Sequence, residues 1–279
     1  MNKKTIGCLG PERTFSHKAA EMIKDSEEII VFFPDFTDLI NAFIKGGVEK
    51  IIVPIENSIA GFVVAVLDGL IEKRPFGIEK EVVIGIDHFL VGFGSQDEIK
   101  TIYSHPQGVS QCFNFINDIL RKQGNKIEIK TTSSTATAIQ LVAETEDNSI
   151  AAIGSKEAAE RYKVPVIRGD IGNFSNNQTR FLLLSNKTTR PTGNDKTTII
   201  FRTENKNCSL AKVLLEFGEN GINITMINSM PSKKELGDYI FFMDIEGHQD
   251  DEDVKIVISN LKSSGKVKEL VILGSYTWQ

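Results

Sequence analysis

A short apolar run, a polar junction and a segment of helical length follow one another five times between residues 4 and 161. That recurrence restricts the chain to an α/β architecture with mostly parallel sheets. The first round is a strand over 4–10, a turn over 11–16 and a helix over 17–24, with Ser16 as its N-cap. The second is a strand over 50–55, the junction Glu56-Asn57-Ser58 and a helix over 59–70. The third runs from a strand over 100–103 through Ser104-His105-Pro106-Gln107 into a helix reaching 121, and Pro106 suits its first turn. A strand over 127–130, Ser133-Ser134-Thr135 and a helix over 136–144 make the fourth; a strand over 149–154, Ser155 and a helix over 156–161 make the fifth.

In open α/β sheets ligands bind beyond the carboxyl ends of strands, where helix N-termini present unpaired N–H groups and favour anions. The junctions add Thr14, Ser16, Asn57, Ser58, Ser104, Gln107, Ser134 and Thr135 as polar side chains. Taken singly, each reads as a helix cap. Taken together, they suggest a cleft for a small, oxygen-rich anion. The stretch Asn176-Asn177-Gln178-Thr179-Arg180-Phe181, leading into three leucines, strengthens that reading. Arg180 offers a fork that grips a carboxylate at two points, and the Thr179 hydroxyl both donates and accepts. The plainer alternative is that Asn-Asn is turn chemistry and Arg180 pairs with a surface acid.

Composition narrows the partners. A net charge of −5 and a pI near 5.5 give no overall attraction for nucleic acid or an anionic membrane. No stretch approaches the ~18–20 apolar residues of a membrane-spanning helix. Cys8, Cys112 and Cys208 lie far apart with no CxxC pair, which argues against disulfides or a zinc site and fits a reducing cytosol. Met1-Asn2-Lys3-Lys4 has the charge of a signal n-region, but only Thr5-Ile6-Gly7 separates it from Cys8, so a soluble cytoplasmic protein is expected. His17, His88, His105 and His248 form no metal-ligand pattern, and Gly92-Phe93-Gly94 lacks a following helix start. No metal and no cofactor are therefore expected. His105, beside a cap and a proline, reads as structural rather than catalytic.

Residues 188–196 are polar, with Pro and Gly and no hydrophobic period, and read as a linker. Beyond it, strands over 197–202, 222–230, 239–246 and 267–274 and helices over 209–220 and 251–263 follow in the order βαββαβ, the ferredoxin-like plan. So small a unit is a natural pairing module.

These motifs, in this order, resemble prephenate dehydratase, which turns prephenate into phenylpyruvate. The resemblance rests on Leu9-Gly10-Pro11-Glu12-Arg13-Thr14-Phe15-Ser16, Val53-Pro54-Ile55-Glu56-Asn57-Ser58-Ile59-Ala60-Gly61, Ser104-His105-Pro106-Gln107, Ser134-Thr135-Ala136 and, above all, Asn177-Gln178-Thr179-Arg180-Phe181. It implies a catalytic domain over 1–187 with a two-lobed, type II periplasmic-binding-protein-like fold: lobe 1 about 1–78 and 172–187, lobe 2 about 79–171. The residues over 197–279 resemble the ACT domain that binds phenylalanine in this family, down to Leu273-Gly274-Ser275-Tyr276. By the same resemblance Thr179 is the residue most directly required for catalysis, with Glu56 beside it. Thr14, Ser16, Asn57, Ser58, Ser104, Gln107, Ser134, Thr135, Asn177, Arg180 and Phe181 face the substrate. Ser209, Leu210, Asn223, Asn228, Ser229, Met230 and Pro231 take the effector positions.

Two departures stand out. Arg13 occupies a position where the family usually has Gly. In the ACT half, Gly-Ala-Leu reads Cys208-Ser209-Leu210 and Glu-Ser-Arg-Pro reads Asn228-Ser229-Met230-Pro231, so charged effector contacts are lost. The resemblance also implies a homodimer or homotetramer and feedback by L-phenylalanine. In the chemistry these assignments lead one to expect, Arg180 holds the pyruvyl carboxylate, Thr179 donates to the departing hydroxyl, and Glu56 supplies a proton if lobe closure desolvates it. Arogenate as substrate, and a non-catalytic anion sensor, are the competing readings.

Overall fold

The computed structural model describes residues 4–72, 76–122, 124 and 126–278. Met1-Asn2-Lys3, the first three residues of the signal-like start, lie outside them. The chain forms two compact units, Met1–Leu67 with Val83–Phe181 and Asp68–Val82 with Leu182–Gln279.

The elements run β1 (Thr5–Leu9), α1 (Phe15–Ile23), β2 (Ile29–Phe33), α2 (Phe36–Ile44), β3 (Lys50–Asn57), β4 (Gly61–Phe62), α3 (Val64–Glu72) and β5 (Gly77–Gly85). They continue as β6 (Phe89–Gly92), β7 (Thr101–Ser104), α4 (Pro106–Gln111), α5 (Phe113–Lys122), β8 (Glu128–Thr131), α6 (Thr135–Thr145), β9 (Ile150–Gly154), α7 (Lys156–Tyr162), β10 (Val166–Arg168) and β11 (Gln178–Ser185). One sheet has the order β2-β1-β3-β11-β5 with β4 added to β3, and a second has the order β10-β6-β9-β7-β8. Each sheet anchors one lobe, and the chain crosses between lobes at 86–88 and again ahead of β11. The sheets are mixed rather than mostly parallel: β1 runs parallel to β2 and β3, and β7 to β8 and β9, but β6 opposes both β9 and β10. β6 is the first strand after a crossing, and it enters its sheet from the opposite end.

Strand alternation gives the second lobe two cores. Leu90 and Ile153 face Ile102, Ile116 and Ile119 on one side. Val91 and Ala152 face Ala138, Ile139 and Val142 on the other. Two close approaches set the junctions. A Cβ at Gly154 would stand 2.7 Å from Ile139 and 3.1 Å from the Thr135 carbonyl, so the glycine lets the start of α6 settle on β9. A Cβ at Gly108 would stand 2.5 Å from the Ser104 hydroxyl.

Several local readings change. The N-cap of α1 is Thr14, not Ser16, because the Thr14 hydroxyl accepts the His17 N–H at 3.3 Å. After β3 there is no immediate helix: Asn57 accepts the N–H groups of Ile59 and Ala60, the chain turns back as β4, and α3 begins only at Val64. The helix expected up to 121 is divided at Cys112 into α4 and α5. β2, α2, β5, β6 and β10 carry no junction signature in the sequence.

The second unit continues with β12 (Asp195–Arg202), α8 (Ser209–Glu219), β13 (Ile224–Pro231), β14 (Tyr239–Glu246), α9 (Glu252–Ser263) and β15 (Glu269–Thr277). This is the expected βαββαβ order, in an antiparallel sheet β13-β14-β12-β15. Its core joins Ile199 and Phe201 of β12 to Val213 and Phe217 of α8 and to Val257 and Leu261 of α9. The expected linker is shorter than its composition suggests. Asp195 and Lys196 already belong to β12, and the Lys196 ammonium sits buried 3.2 Å from both Glu81 oxygens and 4.9 Å above the Trp278 ring.

Candidate active site

A cavity of about 280 Å³ lies between the two lobes of the first unit. Helix tips and strand ends supply its polar lining: Thr14 and Ser16 at the start of α1, Asn57 at the end of β3, Gln107 and Gln111 on α4, Ser134 and Thr135 at the start of α6, and Thr179 on β11. Phe15, Phe36, Ile86 and Phe181 supply apolar walls. The N-termini of α1 and α6 are each capped by their own hydroxyl, with the Ser134 hydroxyl accepting the Thr137 N–H at 3.0 Å. Their remaining first-turn N–H groups carry the partial positive charge of helix ends.

At the Thr179 side, polar side chains form one connected set. The Asn57 amide nitrogen donates to Thr179 Oγ1 at 2.9 Å, to Asn177 Oδ1 at 2.8 Å and to the Gln178 carbonyl at 3.0 Å. Asn177 Nδ2 donates to Gln111 Oε1 at 3.0 Å, and Gln111 Nε2 donates to Asn57 Oδ1 at 3.4 Å. Thr179 is 8% exposed. Its oxygen already accepts from Asn57, so its own proton is left for an acceptor in the cavity.

Other candidates stand elsewhere. Glu56 and Arg180 do not line the cavity. Their chain neighbours Asn57 and Thr179 do, and alternation along β3 and β11 turns Glu56 and Arg180 to the other face, where they approach each other to 4.0 Å. Ser104 is fully buried and donates to the Ile153 carbonyl at 3.0 Å, tying β7 to β9. Ser58 donates to the Asn176 carbonyl at 3.0 Å and accepts the Gln178 N–H at 2.9 Å, pinning β3 to β11. Asn177 is buried beside the cavity as the link between Asn57 and Gln111. Arg13 has φ +67, the left-handed backbone that glycine adopts freely, and its N–H donates to His17 Nδ1 at 2.9 Å.

Four polar lining residues, Ser133, Gln111, His105 and His88, were not among the site assignments. Gln111 lies one helical turn beyond Gln107 on the same face, a spacing visible in the sequence. His105 caps α4, accepting the Gln107 N–H at 3.2 Å, and burial holds its pKa below the usual histidine value. His88, in the crossing segment, lies 2.7 Å from Gln111 Oε1, and burial likewise lowers its pKa. No local pattern marked it. The described lining holds no lysine, arginine or carboxylate, and no group of three metal-ligating residues occurs among the described residues.

In the second unit, Ser209 and Leu210 line a cavity of about 120 Å³ with Tyr239 and Phe241. Asn223, Asn228, Ser229, Met230 and Pro231 do not reach it. Asn223 donates to Glu246 at 2.9 Å, and the other four lie on the edge strand β13.

Comparison with known proteins gives the family. A family model for prephenate dehydratase matches residues 6–189, and one for the ACT domain matches 197–260. The chain is 38% identical to a prephenate dehydratase of Methanocaldococcus jannaschii over 90% of each chain. It is 34% identical to a bifunctional chorismate mutase/prephenate dehydratase of Aquifex aeolicus over 98% of this chain and 74% of that one. Among solved structures, a prephenate dehydratase from Arthrobacter aurescens in complex with L-Phe superposes with a TM-score of 0.87 at 28% identity, covering 98% of this chain and 90% of that one. The Staphylococcus aureus prephenate dehydratase gives 0.82 at 27%, covering 98% of this chain and all of the other. The chain belongs to the prephenate dehydratase family and carries a C-terminal ACT domain.

Proposed function

We propose that the cavity between the lobes is where this chain converts prephenate to phenylpyruvate, and that Thr179 is its principal catalytic group. The observation that carries this is the Asn57–Thr179 hydrogen bond, which occupies the threonine oxygen as acceptor and leaves its proton to be donated. Prephenate loses its ring hydroxyl and its ring carboxylate together. The C–C bond to the carboxylate breaks, carbon dioxide leaves, and that electron pair aromatises the ring as the C–O bond to the hydroxyl breaks. The departing hydroxide takes up one net proton from the buffered solvent and leaves as water.

Charge builds on the leaving oxygen, and a positioned hydroxyl donor stabilises it there. Charge disappears from the ring carboxylate, so that group is best seated against Phe15, Ile86 and Phe181, where a carboxylate is poorly solvated. The pyruvyl carboxylate does not react. The tips of α1 and α6 are its natural seat, in place of the Arg180 clamp, because helix ends orient an anion without a mobile cation. On this reading Glu56 gives no proton.

Residues 1–187 form the catalytic domain and 197–279 a regulatory one. The L-Phe complex of the Arthrobacter aurescens relative supports phenylalanine as the effector. Ser209 and Leu210, with Tyr239 and Phe241, are the contacts retained for it. The edge strand β13 and the small size of this domain support pairing of two copies. No described helix is long and apolar enough to cross a membrane, and three free cysteines suit a reducing compartment, so we place the enzyme in the cytoplasm.

Adding prephenate and following phenylpyruvate by its absorbance tests the activity, and a chain that leaves prephenate unchanged refutes it. Equilibrium dialysis with L-phenylalanine, and light scattering for the oligomer, test the ACT reading. No binding at millimolar effector removes the regulatory role.

A further inference from the structure

His88 lies where the chain crosses from one lobe to the other and is 3% exposed, with its ring edge-on to Phe15 at 6.1 Å. Its Nε2 stands 2.7 Å from Gln111 Oε1. The direction of that hydrogen bond is set from the far end of the network. Asn57 Oδ1 takes the N–H groups of Ile59 at 3.1 Å and Ala60 at 2.8 Å, so that atom is the oxygen and the Asn57 nitrogen faces Asn177 and Thr179. Asn177 Oδ1 accepts from this nitrogen, which turns Asn177 Nδ2 toward Gln111 Oε1. Gln111 presents its own nitrogen to Asn57 Oδ1. Gln111 Oε1 is therefore an acceptor, and the His88 nitrogen opposite must carry a proton.

The ring is then the Nε2–H tautomer, and Nδ1 is a bare acceptor. Nδ1 is buried without a hydrogen-bond donor among the described residues. A phenylalanine would pack against Phe15 without that unmatched polar atom, so packing alone does not account for a histidine here. The opposite tautomer would call for a Gln111 donor at His88. Turning the amide to supply it sets Gln111 Oε1 against Asn57 Oδ1 and Gln111 Nε2 against Asn177 Nδ2.

We propose that His88 is a positioning residue for the reaction: its Nε2–H locks the Gln111 amide with its nitrogen toward Asn57 Oδ1, reinforcing from α4 the orientation, set by the Ile59 and Ala60 N–H groups, in which Asn57 donates to the Thr179 hydroxyl. This rests on the reading of Thr179 as donor to the departing hydroxyl. His88 acts through Gln111 and does not itself touch the reacting atoms.

Two variants and one spectrum test it. His88→Phe keeps the ring and loses the donor, whereas His88→Gln places an amide N–H near the former Nε2. His88→Phe should lower kcat about 10- to 100-fold while KM moves less than about threefold, and His88→Gln should recover kcat to within about fivefold of wild type. In ¹⁵N-histidine-labelled wild-type protein, His88 should show a pyrrole-type Nε2 and a pyridine-type Nδ1 at neutral pH. A glutamine variant as slow as the phenylalanine one, or a spectrum with the proton on Nδ1, overturns the proposal. A fully active Thr179→Val variant overturns instead the reading on which it rests and leaves the tautomer untouched. An impaired Thr179→Val beside fully active His88 variants overturns the His88 inference alone.

Discussion

Replacing Glu56 by Gln separates two accounts of this site by orders of magnitude. If Glu56 were the proton donor, losing it would cost about 10²- to 10⁴-fold in kcat and abolish one limb of the pH–rate profile. The structure places it instead 4.0 Å from Arg180, off the cavity, with its side chain 36% exposed and that of Arg180 11% exposed. A partly exposed pair at that separation is worth about 0–1 kcal/mol. The amide keeps the shape of the carboxylate, so β3 and β11 stay in register. The expected outcome is a melting midpoint within about 4 °C of wild type. We expect kcat to stay within about fivefold and the pH–rate profile to keep its shape, because no group in contact with substrate has changed. Phenylpyruvate absorbance across pH 5.5–9, beside a thermal melt, gives both readings. A kcat loss above about 100-fold with an unchanged melt would show that Glu56 takes part in the chemistry.

Other consequences concern stability and reactivity. Lys196→Met removes the buried cation 3.2 Å from the Glu81 carboxylate and should cost about 3–5 kcal/mol in urea unfolding, whereas pairing it with Glu81→Met should restore much of that loss; equal losses in single and double variants would refute this. Burial pushes the Cys8 and Cys112 thiols up to about 12, helped at Cys8 by the Glu21 charge, while Cys208 is exposed. A thiol reagent should therefore titrate one of the three cysteines in the native state and all three in denaturant, and fast native reaction of a second would contradict this. Burial holds His17, His88 and His105 below the ordinary histidine value. The unfolded chain then binds protons that the folded one refuses, so stability is full above about pH 6.5 and is lost as pH falls below it. The urea midpoint should drop between pH 7.5 and 5.5, less so in His88→Phe, and a flat profile would exclude the effect.

The alternation of strands and helices was legible because each junction pairs a β-rich run with cap chemistry, and the βαββαβ half because its periods are clean. Thr14, Ser134, Thr135 and Thr179 stand at the cavity because cap hydroxyls and strand ends are fixed by local geometry. Glu56 and Arg180 show where local reading stops. Adjacent residues on a strand face opposite ways, and only the sheet packing decides that Asn57 and Thr179, not their neighbours, face the cleft. Asn57 misled for a related reason: its carbonyl caps a turn into β4, which looks like a helix start in sequence. His88 was invisible because its partners are 23 or more residues away and no short motif surrounds it.

The role of Thr179 as donor is decided by kcat of Thr179→Val for prephenate. The exchange keeps the shape, and Asn57 retains Asn177 Oδ1 and the Gln178 carbonyl as acceptors, so folding should lose only about 1 kcal/mol. The loss of a donor to the departing hydroxide should cost about 100- to 1,000-fold in kcat, with Thr179→Ser close to wild type. A folded Thr179→Val enzyme that makes phenylpyruvate within tenfold of the wild-type rate would contradict it.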